Sequence, residues 1–284
     1  MYRLFSIGVC LLWVTAMAAL FHRDVWPAWT AQDAPPMTRA QLQTLARSDE
    51  QFGLFGGEGR RMGTAWSQIV PAALGTGTTI TGNLLLDGLP LGRTVRIRSS
   101  TEFDDAGELA RFVLDVYGLP LTTVHVDGER LGRDFPCKLQ IGPLKREIRL
   151  DPSASRMIGE SFRPFAVLPE LRVGQAWRMQ MLDPLSMIQG GGVNFTALVV
   201  RVVGRETISH QGETVACFRV ETFPKNATAW VDHEGNVLVQ EVEMAGLGKV
   251  TVRQEPFDPD ALTKARQRVP ARPAAAWAPR PGDE

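Results

Sequence analysis

The sequence is poor in the residues that usually carry chemistry. Its 284 residues include only three cysteines, four histidines and two tyrosines. With three cysteines the chain can close at most one bridge, which excludes a disulfide framework. His22, His125, His210 and His233 are widely scattered, whereas a metal site needs three or four converging ligands. An excess of one charge is missing too: 31 Lys and Arg balance 31 Asp and Glu. That balance argues against a dedicated nucleic-acid surface, because phosphate binding needs clustered cations. Gly159-Glu160-Ser161 stops short of a nucleophile elbow. Gly75-Thr76-Gly77 lacks the third glycine of a dinucleotide loop. Gly190-Gly191-Gly192 reads as a flexible loop, since no helix start follows it. Strands do not alternate with long helices, which excludes a parallel α/β sheet.

Long apolar runs are missing as well, with one exception at the start. From Leu4 to Phe21 the chain reads LFSIGVCLLWVTAMAALF without a charge, close to the minimum length for a membrane-spanning helix. Arg3 precedes the run and His22-Arg23-Asp24 follow it. Ala16-Met17-Ala18 has the small-x-small form of a signal-peptidase site. The run continues past that site, however, and Trp26 and Trp29 fall where aromatic rings favour a membrane interface. The pattern therefore predicts an uncleaved signal anchor over 1–23. The expected location is the inner membrane, single-pass, with the body in the periplasm or outside the cell. Cys10 is a poor lipidation site, because Val9 is large where a small residue is needed.

Residues 24–50 read as a Pro-rich spacer with a short helix opening at Thr38, where Gln41 completes a capping box. From 51 to 259 short β-rich runs alternate with turn residues, predicting a mainly β domain: a large curved antiparallel sheet, half-barrel or barrel-like, with few short helices. Thr94–Phe103 and Glu108–Tyr117 alternate well, and Asp127-Gly128 reads as a hairpin turn. The stretches from Asp151 to Glu170 and from Asp183 to Gly192 read as irregular, with room for one short helix near Phe165–Leu168. Phe112, Leu114, Val116, Leu198, Val200, Val202, Phe218 and Val220 are the expected inward-facing set. Cys137 and Cys217 point to opposite faces of their strands and are expected to be unpaired thiols. Residues 260–284, rich in Pro, Ala and Arg, read as a disordered tail.

The last third carries a recognisable order of motifs. Val202-Val203-Gly204-Arg205-Glu206 is followed by His210-Gln211-Gly212-Glu213, then by Cys217-Phe218-Arg219-Val220, and finally by Trp230-Val231-Asp232-His233-Glu234-Gly235-Asn236-Val237-Leu238. This order resembles exported bacterial β-rich proteins of uncharacterised function, similar to the half-barrel of the lipoprotein-localisation and outer-membrane lipoprotein-sorting proteins. Gln51–Phe55 through Arg61-Met62-Gly63 is similar to the opening hairpin of such domains. The resemblance implies an envelope protein that takes a lipid or lipoprotein-like ligand, with a transglutaminase-like envelope protein as one candidate partner. Two features depart from it. A shuttling carrier has no anchor, and this chain has no Cys–His module of the transglutaminase type.

The residues nominate no catalytic group, no metal ligand, no cofactor and no nucleic-acid partner, and the ligand-binding residues are unknown. Two acidic groups, Asp104-Asp105 with Glu108 and Glu241 with Glu243, have the spacing of paired carboxylates, which turns and strand faces also produce without catalysis. The leading expectation is a membrane-anchored, non-catalytic envelope protein that binds an apolar ligand or a partner protein. One rival is an assembly subunit with a filled core. The other is an envelope hydrolase of unrecognised type.

Overall fold

A computed structural model describes residues 2–21, 26, 29, 31–33, 49–71, 77–89, 94–106, 108–118, 123–132, 134–150, 158–160, 171–182, 195–223, 227–244 and 247–267. The apolar start forms helix α1 (Tyr2–Leu20). Its described side chains, from Ile7 onward, are exposed on every side. Among the described residues no helix is long and apolar enough to cross a membrane.

The body is one large antiparallel curved sheet. Its first half contains β1 (Gln32–Asp33), β2 (Glu50–Phe55), β3 (Arg61–Pro71), β4 (Thr78–Leu86), β5 (Val95–Phe103), β6 (Leu109–Tyr117), β7 (Val124–Glu129), β8 (Phe135–Ile141) and β9 (Leu144–Leu150). The second half contains β10 (Ile158–Glu160), β11 (Ala176–Leu182), β12 (Phe195–His210), β13 (Glu213–Phe223), β14 (Ala227–Val231), β15 (Val237–Met244) and β16 (Gly248–Glu255). From β2 to β9, and again from β11 to β16, each strand pairs with the next. The last strand, β16, pairs antiparallel with β2 and so joins the two halves. Short β1 and β10 lie parallel against β11.

Alternation decides which face is buried. Leu114 on β6 pairs with Val126 on β7, which pairs with Leu139 on β8. Leu114 and Val126 are fully buried and Leu139 nearly so. Val202 on β12 pairs with Val220 on β13, and Val220 with Ala229 on β14. All belong to one core cluster that runs from β2 to β16 along the inner face. Each fully buried Leu, Ile, Val or Phe there contributes about 1.5–3 kcal/mol. Seven of the eight residues expected to face inward are at most 2 % exposed, and Phe218 packs against the edge of the cluster.

Three sequence readings change. Asp127-Gly128 is not a turn but the interior of β7, where Gly128 pairs with both Phe112 and Cys137. A Cβ on Gly128 would meet the Cys137 sulfur at 2.5 Å and the Phe135 ring at 2.6 Å. The glycine is there for close packing. The reversal comes later, at the Leu131–Asp134 bridge. Asn194–Val203 and Glu206–Ser209 read from the sequence as two separate strands, but a bulge joins them: the register shifts between Val202 and Gly204, and β12 runs through to His210.

The third change is at the C-terminus of the sheet, where helix α2 (Pro259–Gln267) occupies the start of the stretch read as disordered. The Asp258 carboxylate accepts hydrogen bonds from the Asp260 and Ala261 amides, both at 3.0 Å, and Pro259 takes the first helical position. Leu262 and Ala265 bury against Trp66 and Leu85 on the outer face of β3 and β4. The expected helices at Thr38 and Phe165–Leu168 and the tail beyond Gln267 lie outside the described residues.

Candidate functional site

Two clefts lined by described residues open on the outer face. The larger, of about 530 Å³, lies over β14, β15, β16 and β2. Trp230, Val239, Thr251 and Phe55 form its floor, and the β12–β13 tip supplies Ile208, Ser209, His210 and Gln211. A second cleft of about 300 Å³ continues past Trp230 and Glu241, which line both, towards Arg219, Thr228, Glu243 and Lys249.

The bulge in β12 builds this site. Before it Leu198, Val200 and Val202 point into the core. One extra residue, Val203, inverts the parity of everything after it. Glu206 then pairs with Cys217 and shares the outer face with Arg219 and Trp230. The Trp230 indole N–H donates to the Glu206 carboxylate at 2.6 Å. A tight turn reverses the hairpin at Gln211 (φ 51°) and Gly212 (φ 88°), the positive-φ pair of a two-residue hairpin loop.

The charges along the cleft are mostly paired. Arg61 holds Glu255 with two parallel hydrogen bonds of 2.7 and 2.8 Å, and hydrogen bonding to Arg61 keeps the Glu255 carboxyl below its ordinary pKa. Lys249 meets Glu241 at 2.7 Å and Arg219 meets Glu221 at 2.6 Å. Arg253 lies over the Phe55 ring at 5.8 Å. Burial pushes the His210 pKa below its ordinary value, favouring the neutral imidazole.

The described histidines do not converge. His125 bonds Asp115 across β6 and β7 at 2.7 Å, with both side chains largely buried. His233 is exposed in the β14–β15 turn, and His22 lies outside the described residues. Among the described residues no group of three or more His, Cys, Asp or Glu could hold a metal ion. Of the two acidic groups, Asp104 and Glu108 are bridged by Arg130. Asp104 also accepts the Ala106 and Glu108 amides. Burial pushes the Asp104 pKa up, but these amides and Arg130 outweigh it and hold the carboxyl below its ordinary value. Glu241 and Glu243 do reach the cleft. The sequence does not single out the β12–β13 wall, Trp230 and Phe55 as a site, although His210-Gln211, Trp230 and Phe55 all lie in the motifs that carry the resemblance.

The cysteines are unpaired. Cys137 lies in the inner core and Cys217 is buried outside it. Burial, with a smaller contribution from Asp127, pushes the Cys137 thiol up to about 12.

No protein-family model matches the sequence, and no curated protein does. Among solved structures the chain is similar to a β-barrel-like protein of domain of unknown function DUF1849 from Brucella abortus, with 12 % identity, 74 % of this chain and 96 % of that one covered, and a TM-score of 0.46. It is also similar to a DUF1089 family protein from Pseudomonas aeruginosa, with 16 % identity, 64 % and 90 % covered and a TM-score of 0.37. A third is the hypothetical lipoprotein YmcC from Escherichia coli, with 16 % identity, 86 % and 95 % covered and a TM-score of 0.30. None of these descriptions names a lipoprotein-sorting carrier.

Proposed function

We propose that this chain is a non-catalytic binding protein of the cell envelope, held at a membrane by α1, with its sheet outside the cytoplasm. One observation carries the reading. The apolar side chains of α1 are exposed all round, from 43 % at Leu20 to 72 % at Leu12. A helix that is apolar on every side is stable only where lipid or protein covers it. Trp26 and Trp29 are exposed just beyond α1, and the Phe21 and Trp29 rings pack edge to face at 5.5 Å.

The body then works by holding. Its inner face is occupied by its own side chains, so an acyl chain entering there would have to displace residues such as Leu114 and Val220, both at 0 % exposure. That filling favours a ligand or partner on the outer face, as in the assembly-subunit reading, over an apolar ligand inside the curve. The test is alkaline carbonate extraction of membranes carrying the full chain. The protein is expected to stay in the pellet, and the double variant Leu12→Glu, Val14→Glu to move to the supernatant. Extraction of the unaltered chain would defeat the tether.

A further inference from the structure

The two outer clefts have a chemistry more specific than a generic surface. They lie in series and share Trp230 and Glu241, so one elongated occupant can fill both. Trp230 offers aromatic surface and is fixed through its N–H to Glu206, while the Phe55 ring carries the guanidinium groups of Arg61 at 5.6 Å and Arg253 at 5.8 Å. Two of the carboxylates along the clefts already face cations: Glu255 with Arg61, Glu241 with Lys249. An anionic polymer would compete with those carboxylates and a polycation with those cations. Paired carboxylates still have free lone pairs, and Arg253, in contact with the Phe55 ring, has five N–H donors. Aromatic faces beside planar hydrogen-bonding groups of balanced charge match an uncharged ligand with C–H faces and hydroxyl edges.

We propose that this outer groove is a seat for a neutral oligosaccharide strand, stacked on Trp230 and hydrogen-bonded by Arg253 and the paired carboxylates. The proposal rests on the reading of the chain as a non-catalytic binding protein and names the ligand class of its outer face. The full chain in detergent micelles would be titrated calorimetrically with cellohexaose, chitohexaose and maltohexaose. At least one hexaose is expected to bind with a dissociation constant below about 1 mM. Its disaccharide should bind at least about tenfold more weakly, since it reaches one cleft only. Trp230→Ala should weaken the hexaose about tenfold, and Trp230→Phe, which keeps an aromatic face, by about threefold or less.

Phe55→Ala is the independent second variant, also expected to weaken binding. Thermal melts of each variant separate loss of the seat from loss of the fold. Three results would overturn the proposal: no heat from any hexaose, equal affinity for hexaose and disaccharide, or hexaose binding unchanged by both Trp230→Ala and Phe55→Ala. Preferential binding of an uncharged hexapeptide would also overturn it, in favour of a protein partner. The carbonate extraction reads α1 and not Trp230, so either idea can fail without the other. Cleavage of the bound hexaose, read by mass spectrometry, would support the seat and overturn the non-catalytic reading.

Discussion

Gly128 shows how one side chain's absence organises its neighbours. Phe135 and Cys137 occupy the space its Cβ would need, so Gly128→Ala is expected to destabilise the body by about 1–3 kcal/mol, read as a lowered urea midpoint. An unchanged midpoint would mean the core can relax there. The thiols make a second test at this scale. Cys10 is exposed while Cys137 and Cys217 are buried, and burial raises the pKa of both buried thiols, with smaller contributions from Asp127 and Asp232 respectively. Only the thiolate reacts. In detergent at pH 8, a water-soluble maleimide is expected to leave Cys137 and Cys217 unlabelled in the native chain and to label both after denaturation. Rapid native labelling of Cys137 would contradict its place in the core.

At the scale of elements, the C-terminal helix and the bulge were the hardest to read. The start signal for α2 was present as Asp258-Pro259, but its apolar face is only Leu262 and Ala265. Nothing local distinguishes so short a helix from a solvated tail; Trp66 and Leu85, distant in sequence, make it stable. Replacing the cap, Asp258→Ala, is expected to cost about 1 kcal/mol of global or local stability. Hydrogen exchange should show faster exchange at the α2 amides while the β6–β7 amides stay protected. Uniform loss of protection would tie α2 to the whole core instead. The strands themselves were largely legible, because Phe112, Leu114 and Val116, or Leu198, Val200 and Val202, repeat every second residue. Asp127-Gly128 misled because the same dipeptide suits a tight turn and a close-packed strand, and only the cross-strand neighbours choose between them.

For the whole molecule, the shifted groups give stability a dome in pH. His210 has a lowered pKa, so the unfolded chain binds its proton first and stability begins to fall below about pH 6.5. Asp104 and Glu255 are lowered too. Their contribution is complete above the unfolded values of about 4 and is lost as pH falls through the folded ones. Cys137 is raised, to about 12, so stability falls again as pH rises past about 8.5, where the unfolded thiol ionises. Melting temperature is expected to peak between these limbs, and Cys137→Ala to flatten the alkaline one. A wild-type alkaline limb no steeper than the variant's would contradict this. The sequence by itself determined the period-two alternation, and with it a strand-rich body, the buried sets of β6, β12 and β13 and an apolar leading helix. Only the tertiary structure decided that β16 pairs with β2, that α2 docks on Trp66, and that a single extra residue at Val203 turns Glu206, Ile208 and His210 outward beside Trp230. Alternation is local and is written residue by residue. Strand order, docking and the parity of a bulged strand depend on partners far away in the chain, and no local pattern encodes which partner wins.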